Sequence, residues 1–456
     1  MKNILALLLI LGSSLNLYSQ GHNIDGTITG LTNSNIYLMS VIGQQQKIVD
    51  TAFTDMNGSF RFELDGDFPT GMYLLAAGAK QMIEIIYNNE DIRFVTSGSS
   101  EQDNVQITES IENLIWYDYL YLKGYNQYKM EVIESVLMNY PPEDEYYTLS
   151  EIKYNQLQNV IISRSDELAN DNPLTMASKF IKVDRPNFAP SNLEDAEKQQ
   201  FLINHHFDHT DFSDTLLLRS NILTSKIVKY LTIYQKPNLS QMELEDNLIT
   251  AVDSILAKAL VEQKVYEFVV DFLVKGFETI GFERGLEHIA EQNQLAELCV
   301  NSERKSELEN RMELIKKLAI GKVAPDFEAT DINGKTVKLS DISSKKTILV
   351  FWASWCPHCT DMMPVLKEYY NANSREELEI IAISVDSQEE EYQEAVKTHT
   401  GDWINIAELK GWNGAIVEEY GIHATPTVFI LDQEKTILAK PTNNSKLKMD
   451  MEKLKN

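Results

Sequence analysis

Cysteine is scarce in this chain, with three residues in 456. That scarcity rules out a disulfide framework of the kind that staples small exported domains. Beyond Cys356 and Cys359 only Cys299 remains, so the second ligand pair of a structural zinc site is missing. No stretch reaches the roughly 18 apolar residues that a spanning helix needs, and no transmembrane segment is expected. The apolar run near the start, Ile4 to Leu11, is far shorter. No cysteine lies beside it, so lipid attachment at an N-terminal cysteine is not expected either. Basic residues are also in deficit. Lys and Arg number 41 against 68 Asp and Glu, a formal net charge of -27. Nucleic-acid binding rests on Lys and Arg contacts to phosphate, and no nucleic-acid partner is expected. Acidity on this scale otherwise means solubility.

The hydrophobic content is ordinary, and the length suggests about three domains. Residues Met1 to Ser19 read as a secretory signal. Lys2 supplies the positive start, Ile4 to Leu11 the apolar core, and Ser19 a small residue at a plausible cleavage point. We therefore expect export, cleavage near Ser19 and release into the periplasm as a soluble protein.

From Gly21 to Thr96 the pattern is strand and turn. Ile24 to Ile28 and Ile36 to Met39 flank a turn at Asn33-Ser34-Asn35, and further short strands follow at Met72–Leu75, Met82–Tyr87 and Ile92–Val95. Asn57-Gly58 stands between two strands and signals a hairpin. These features predict a small all-β sandwich. A polar gap, Ser97 to Asn104, leads into helical periodicity lasting to about Leu318. Ile111, Leu114, Ile115, Leu122 and Tyr125 define one apolar stripe, and Leu223, Ile227, Leu231 and Tyr234 another. Ser240 and Glu243 have the spacing of a capping box. Pro141-Pro142, Asn172-Pro173 and Pro186 divide the region into several helices. His205, His206 and His209 are the one cluster with ligand spacing, since His205 and His209 would share a helix face. Asp208, Asp211, Ser213 and Asp214 around them read as helix-start chemistry instead, and no metal is expected. Cys299, among Leu295 and Leu298, reads as a buried apolar residue.

Chemistry concentrates at Trp352-Ala353-Ser354-Trp355-Cys356-Pro357-His358-Cys359. Before it, Thr347 to Phe351 is a β-branched, apolar run that reads as a buried strand; after it, Met362, Met363, Leu366 and Tyr370 recur at helical spacing. Cys356 is thus expected where a strand hands over to a helix, among free N–H groups and the positive end of the helix dipole. That setting favours the thiolate, the form that attacks disulfides, and the second cysteine can then resolve the mixed disulfide.

Trp-Cys-Pro-His-Cys, Pro364 five positions after Cys359, and Ala424-Thr425-Pro426-Thr427 before the apolar strand Val428 to Leu431 together resemble the thioredoxin superfamily. Ala324-Pro325-Asp326-Phe327 followed by Asp331-Ile332-Asn333-Gly334-Lys335 resembles the N-terminal hairpin of its TlpA and ResA branch. This resemblance covers Gly321 to the C-terminus, under a third of the chain. The β and helical regions resemble those found ahead of thioredoxin domains in envelope proteins of Bacteroidota. The division expected is a signal peptide (1–19), a β-sandwich domain (20–98), a helical domain (99–318) and an α/β thioredoxin-like domain (319–456).

The resemblance implies a thiol:disulfide oxidoreductase without a cofactor. It makes Cys356 the nucleophile and Cys359 the more buried resolving thiol. It puts Pro426 in the cis form, with the preceding peptide group of Thr425 facing the sulfurs. Its partners would be protein thiols or disulfides and an upstream redox protein. Trp352 and Trp355 are equally suited to packing and to substrate contact. Pro357 and His358 match the dipeptide of DsbA rather than the Gly-Pro of thioredoxin. A histidine there stabilises the thiolate and makes the pair more oxidising, within a span from thioredoxin to DsbA of about 150 mV, roughly 7 kcal/mol. ResA-like proteins, in contrast, serve reductive pathways, so both directions stay open.

Two departures from the family stand out. Val350 occupies the position of the buried aspartate of thioredoxin. Met362 stands where ResA-like proteins carry a glutamate, and the adjacent Asp361 would point about 100° away on a helix. Water or Asp386 are the remaining candidates to deprotonate Cys359. Two other functions fit the sequence less well. A thiol peroxidase would need a Pro-x-x-x-Thr-x-x-Cys cradle, whereas Ala353-Ser354-Trp355 precede Cys356 here. An envelope binding or assembly module with an accessory thioredoxin domain would not need the intact Cys-Pro-His-Cys.

Overall fold

The computed structural model describes residues 21–77, 81–97, 105–191, 193–236, 239–292 and 303–453. The signal read at Met1 to Ser19 and Cys299 lie outside the described residues. The chain divides into two compact units between Ile233 and Tyr234.

The first unit begins with β1 (His22–Ile28), β2 (Asn35–Ile42), β3 (Gln45–Phe53), β4 (Ser59–Leu64), β5 (Gly71–Ala77), β6 (Gln81–Tyr87), β7 (Ile92–Thr96) and β8 (Val105–Glu109). They form two four-stranded sheets, ordered β4-β1-β7-β8 and β3-β2-β5-β6, which make up the β-sandwich expected here. Alternation sets the faces. Phe60, Phe62 and Leu64 of β4 and Ile92 and Phe94 of β7 are buried, while Arg61, Glu63 and Arg93 between them are exposed.

The Asn57-Gly58 turn is present but does not make a hairpin. Gly58 takes φ +81, and a Cβ there would meet the Ile28 carbonyl oxygen at 2.1 Å. The Asp55 carboxylate accepts from the N–H groups of Asn57 (2.7 Å) and Ser59 (2.9 Å). Yet β3 pairs with β2 across the tight Gly43-Gln44 connection, and β4 pairs with β1. The turn is therefore a corner between sheets.

Helices α1 (Ile111–Asn139), α2 (Glu145–Asp171), α3 (Met176–Asp184), α4 (Asp195–His205) and α5 (Ile222–Ile233) complete the first unit, with breaks at the expected prolines. The stripe read for α1 is corrected. Ile111, Leu114 and Tyr125 are exposed, and the buried face carries Glu112, Asn113, Ile115, Trp116, Tyr119 and Leu120. The reason is polar. Asn113 bonds both backbone groups of Ile86 on the edge strand β6, accepting from its N–H (2.8 Å) and donating to its carbonyl (2.7 Å). Glu112 accepts the N–H groups of Met176 (3.0 Å) and Ala177 (2.7 Å) at the start of α3. Both side chains complete backbone bonding that burial would otherwise leave open.

The three histidines go to separate partners. His205 Nδ1 meets Asp208 at 2.7 Å, His206 Nε2 lies 2.8 Å from the Lys226 carbonyl oxygen, and His209 contacts Arg185. No group of metal-ligating side chains occurs among the described residues. Asp214 instead caps the short 3-10 helix Thr215–Arg219. Burial, with the Lys226 charge adding to it, pulls the His206 imidazole down to about 4. Its folded-state pKa lies below the unfolded value near 6.5, so below pH 6.5 only the unfolded state takes up the proton. The stability is complete above pH 6.5 and is lost as pH falls towards 4. Asp184, held at about 2 by Lys123 and Lys229 against its burial, titrates below that window. Urea unfolding at pH 7 and pH 4.5 should show a loss of about 2 kcal/mol attributable to this histidine, and His206→Gln should remove that part of the slope. An unchanged slope in the variant would contradict it.

The second unit opens with α6 (Gln241–Ala259), α7 (Gln263–Ile280), α8 (Glu283–Gln292) and α9 (Glu303–Lys317). The capping box at Ser240 and Glu243 forms as expected. The remainder comprises β9 (Glu328–Thr330), β10 (Thr336–Lys338), β11 (Lys346–Trp352), α10 (Pro357–Ala372), β12 (Leu378–Ser384), α11 (Glu389–His399), β13 (Ile404–Ala407), α12 (Ala415–Glu419), β14 (Thr427–Leu431), β15 (Ile437–Ala439) and α13 (Asn444–Lys453). A five-stranded sheet runs β13-β12-β11-β14-β15, with β9 and β10 as a separate hairpin. Strands β11, β12 and β13 are parallel, β14 runs against them, and β15 is antiparallel to β14. The central β11 is buried along nearly its whole length, as a strand covered on both faces should be. The whole is multidomain: β-sandwich, helices, and a C-terminal α/β thioredoxin-like fold. No helix among the described residues is long and apolar enough to cross a membrane.

Candidate functional site

Strand β11 delivers its C-terminal end into the loop 353–355, and Cys356 is the N-cap of α10. The helix starts here because Pro357 at its first position needs no N–H partner and comes with a preset φ. Cys356 Sγ accepts the N–H of Cys359 at 3.2 Å, and the two cysteines are joined as a disulfide with their Cα atoms 5.3 Å apart. Cys356 is 5% exposed and Cys359 0%, so the second cysteine is the more enclosed. Pro357 and His358 are exposed on the first turn. Met362, Met363, Leu366 and Tyr370 bury the opposite side of α10 against the sheet.

From the other side comes the segment before β14. The Thr425–Pro426 bond is cis, and the Thr425 carbonyl oxygen lies 3.4 Å from Cys356 Sγ. Thr427 Oγ1 donates to the Ala424 carbonyl at 2.8 Å and closes this loop on itself. The redox pair, Thr425 and Pro426 are thus brought together although 66 residues and more separate them in sequence.

The two tryptophans of the motif part company. Trp352 is fully buried in the core, whereas Trp355, immediately before Cys356, is 57% exposed. Neither family carboxylate position is replaced in space. Val350 is a core residue, Met362 is buried, and Asp361 is exposed.

Asp386 is buried just beyond β12, and its carboxylate is fully engaged. It accepts from Ser354 N–H (3.1 Å), Ser354 Oγ (2.8 Å) and Ser384 Oγ (2.6 Å). It therefore ties the end of β12 to the loop that aims Cys356. Asp386→Ala leaves three donors without an acceptor, and should lower the unfolding free energy of this unit by about 2–4 kcal/mol in urea titration. A change below about 0.5 kcal/mol, the size of an ordinary surface substitution, would show that the anchor carries no weight.

Sequence reasoning missed two participants. Ser354 carries no local signal of its role, because its carboxylate partner Asp386 lies 32 positions away in the chain. Trp412 was also missed; it lies in Gly411-Trp412-Asn413-Gly414 between β13 and α12, and its ring stands edge-to-face with Trp355 at a centroid distance of 6.2 Å. An aromatic residue bracketed by glycines in a loop was the available signal.

Comparison with known proteins gives three family matches: the AhpC/TSA family over residues 320–440, and two domains of unknown function, DUF4369 over 22–116 and DUF5106 over 163–275. The thiol-disulfide oxidoreductase ResA of Bacillus thuringiensis subsp. konkukian is 34% identical over 122 residues, which is 27% of this chain and 69% of that protein. Among solved structures, the thioredoxin domain of a thiol-disulfide oxidoreductase from Bacteroides vulgatus is 30% identical, covers 30% of this chain and 99% of that one, and superposes with a TM-score of 0.29. A thioredoxin-like protein from Bacteroides caccae covers 59% of this chain and 97% of its own at 19% identity and a TM-score of 0.43.

Proposed function

Because the chain belongs to the ResA-type family of thiol-disulfide oxidoreductases, we propose that it exchanges disulfides with exported proteins in the periplasm through Cys356, Cys359 and the Pro-His dipeptide between them. The observation that carries this reading is the position of Cys356: N-cap of α10, bonded to Cys359, with the Thr425 carbonyl beside its sulfur.

In the reduced enzyme the N-terminal dipole of α10 favours the Cys356 thiolate. That thiolate attacks one sulfur of a substrate disulfide, and the first substrate thiolate leaves. Cys359, having given its proton to water, then attacks Cys356 Sγ and expels the second substrate thiolate. Two electrons have passed to the substrate, and the enzyme holds the Cys356–Cys359 disulfide. An upstream dithiol protein returns it to the reduced form; the same steps in reverse oxidise a substrate dithiol. Thr425 and Pro426 line the sulfur and give an extended substrate backbone a place to pair. Residues 1–19 act as the export signal, and the thioredoxin-like part (319–456) carries the chemistry, with the β-sandwich (20–98) and helical (99–318) parts ahead of it.

Insulin reduction by the mature chain with a chemical reductant tests this reading. Turnover that tracks the free dithiol of Cys356 and Cys359 is the expected result. Its absence, with both thiols titratable, would leave a binding or assembly module. The AhpC/TSA match gives a thiol peroxidase as the second reading. Hydrogen peroxide consumption faster than insulin reduction would favour it.

A further inference from the structure

We infer that Trp355 and Trp412 form an apolar platform beside the reactive sulfur that selects substrate segments carrying a bulky apolar side chain next to their cysteine. The inference rests on the disulfide-exchange reading above and names the substrate class of that site.

Trp355 is 57% and Trp412 40% exposed, whereas Trp352, Phe351 and Phe429 of the same unit are enclosed. Their rings meet at 63°, so an open apolar corner remains between the two faces. It adjoins Cys356 directly, since Trp355 is the preceding residue.

The loop carrying Trp412 is built to hold it there. Glu408 closes the loop at its base by accepting the N–H groups of Ala415 and Ile416, both at 2.9 Å. A Cβ on Gly414 would meet that carboxylate at 2.6 Å, so a larger residue there would push Glu408 aside. Leu409 adopts φ +55 and Gly411 φ +60, and the left-handed conformation is unfavourable for leucine. Leu409 nonetheless keeps it while packing on the core. Strain kept in a closed loop that leaves its tryptophan 40% exposed, next to a reactive sulfur, points to recognition rather than packing.

The occupant follows from the chemistry of cysteine itself. Cysteine is among the most buried residue types in folded proteins, so a substrate cysteine commonly belongs to an apolar segment that the finished fold encloses. While that segment is still unfolded its apolar side chains are exposed, and the corner can take one while the backbone lies along Thr425. One apolar side chain in such a site is worth roughly 10- to 200-fold in kcat/KM, and an open corner belongs at the lower end.

Two cysteine peptides, each as a mixed disulfide with glutathione and differing only in Leu or Ser after the cysteine, supply the test. Both carry the same charge, because Glu390, Glu391 and Glu394 line a cavity at Ser354 and would respond to a difference. The wild-type protein, kept reduced with dithiothreitol, should show kcat/KM about tenfold higher for the leucine peptide. In Trp412→Ala and Trp412→Gln the ratio should fall towards one, and Trp412→Phe should restore most of it. A wild-type ratio near one, or a ratio unchanged in the alanine and glutamine variants, overturns the platform. Failure of the wild type to reduce either peptide would instead sink the exchange activity itself.

Discussion

Cys356→Ser is expected to abolish disulfide turnover, while Cys359→Ser should retain one attack and then stall as a mixed disulfide with its substrate. The asymmetry follows from position. Cys356 caps α10, where free N–H groups and the helix dipole favour its anionic form, and it borders the exposed Pro357, His358 and Trp355. Cys359 is enclosed one turn later and reaches only the sulfur of its partner. Thiolate loss at the attacking position removes the nucleophile altogether, so the first variant should fall to background, on the order of a thousandfold or more, as for other nucleophile deletions. The second should accumulate a covalent complex visible on non-reducing gels and released by dithiothreitol. Full multiple turnover by Cys359→Ser would contradict the dithiol mechanism.

His358→Gly should shift the Cys356/Cys359 couple by about 30–60 mV towards the reducing side, a tenfold to hundredfold change in the exchange equilibrium with glutathione. His358 lies exposed on the first turn of α10, two residues from Cys356. A histidine there can donate an N–H or lend positive charge to the reduced pair, adding to the helix dipole. Stabilising the reduced form makes the disulfide a stronger oxidant, so its loss moves the potential down. The wild-type value itself separates an oxidant near the DsbA end of the range from a reductant near thioredoxin. Equal potentials in wild type and variant would show that the dipeptide does not tune the pair.

Local chemistry made much of this protein legible in its sequence. The strand Lys346–Trp352, the cysteine N-cap and the apolar face of α10 follow from β-branched runs, capping and 3.6-residue periodicity, all set within a few residues. The helix breaks at Pro141-Pro142, Pro173 and Pro186 and the capping box at Ser240 are equally local. Tertiary structure alone decided the rest. Asn57-Gly58 dictates a turn, but which sheet each flanking strand joins depends on β1 and β2. The buried face of α1 includes Glu112 and Asn113 because their partners, Met176, Ala177 and Ile86, arrive from distant elements, and no hydrophobic count records such a bond. Asp386 meets Ser354 only because β12 lies parallel to β11 in the sheet. Trp412 meets Trp355 only because the loop after β13 folds back to the head of α10. Periodicity reports what a residue does for its own helix or strand; contacts across a sheet or between loops are fixed by strand order, which leaves no local trace in the chain.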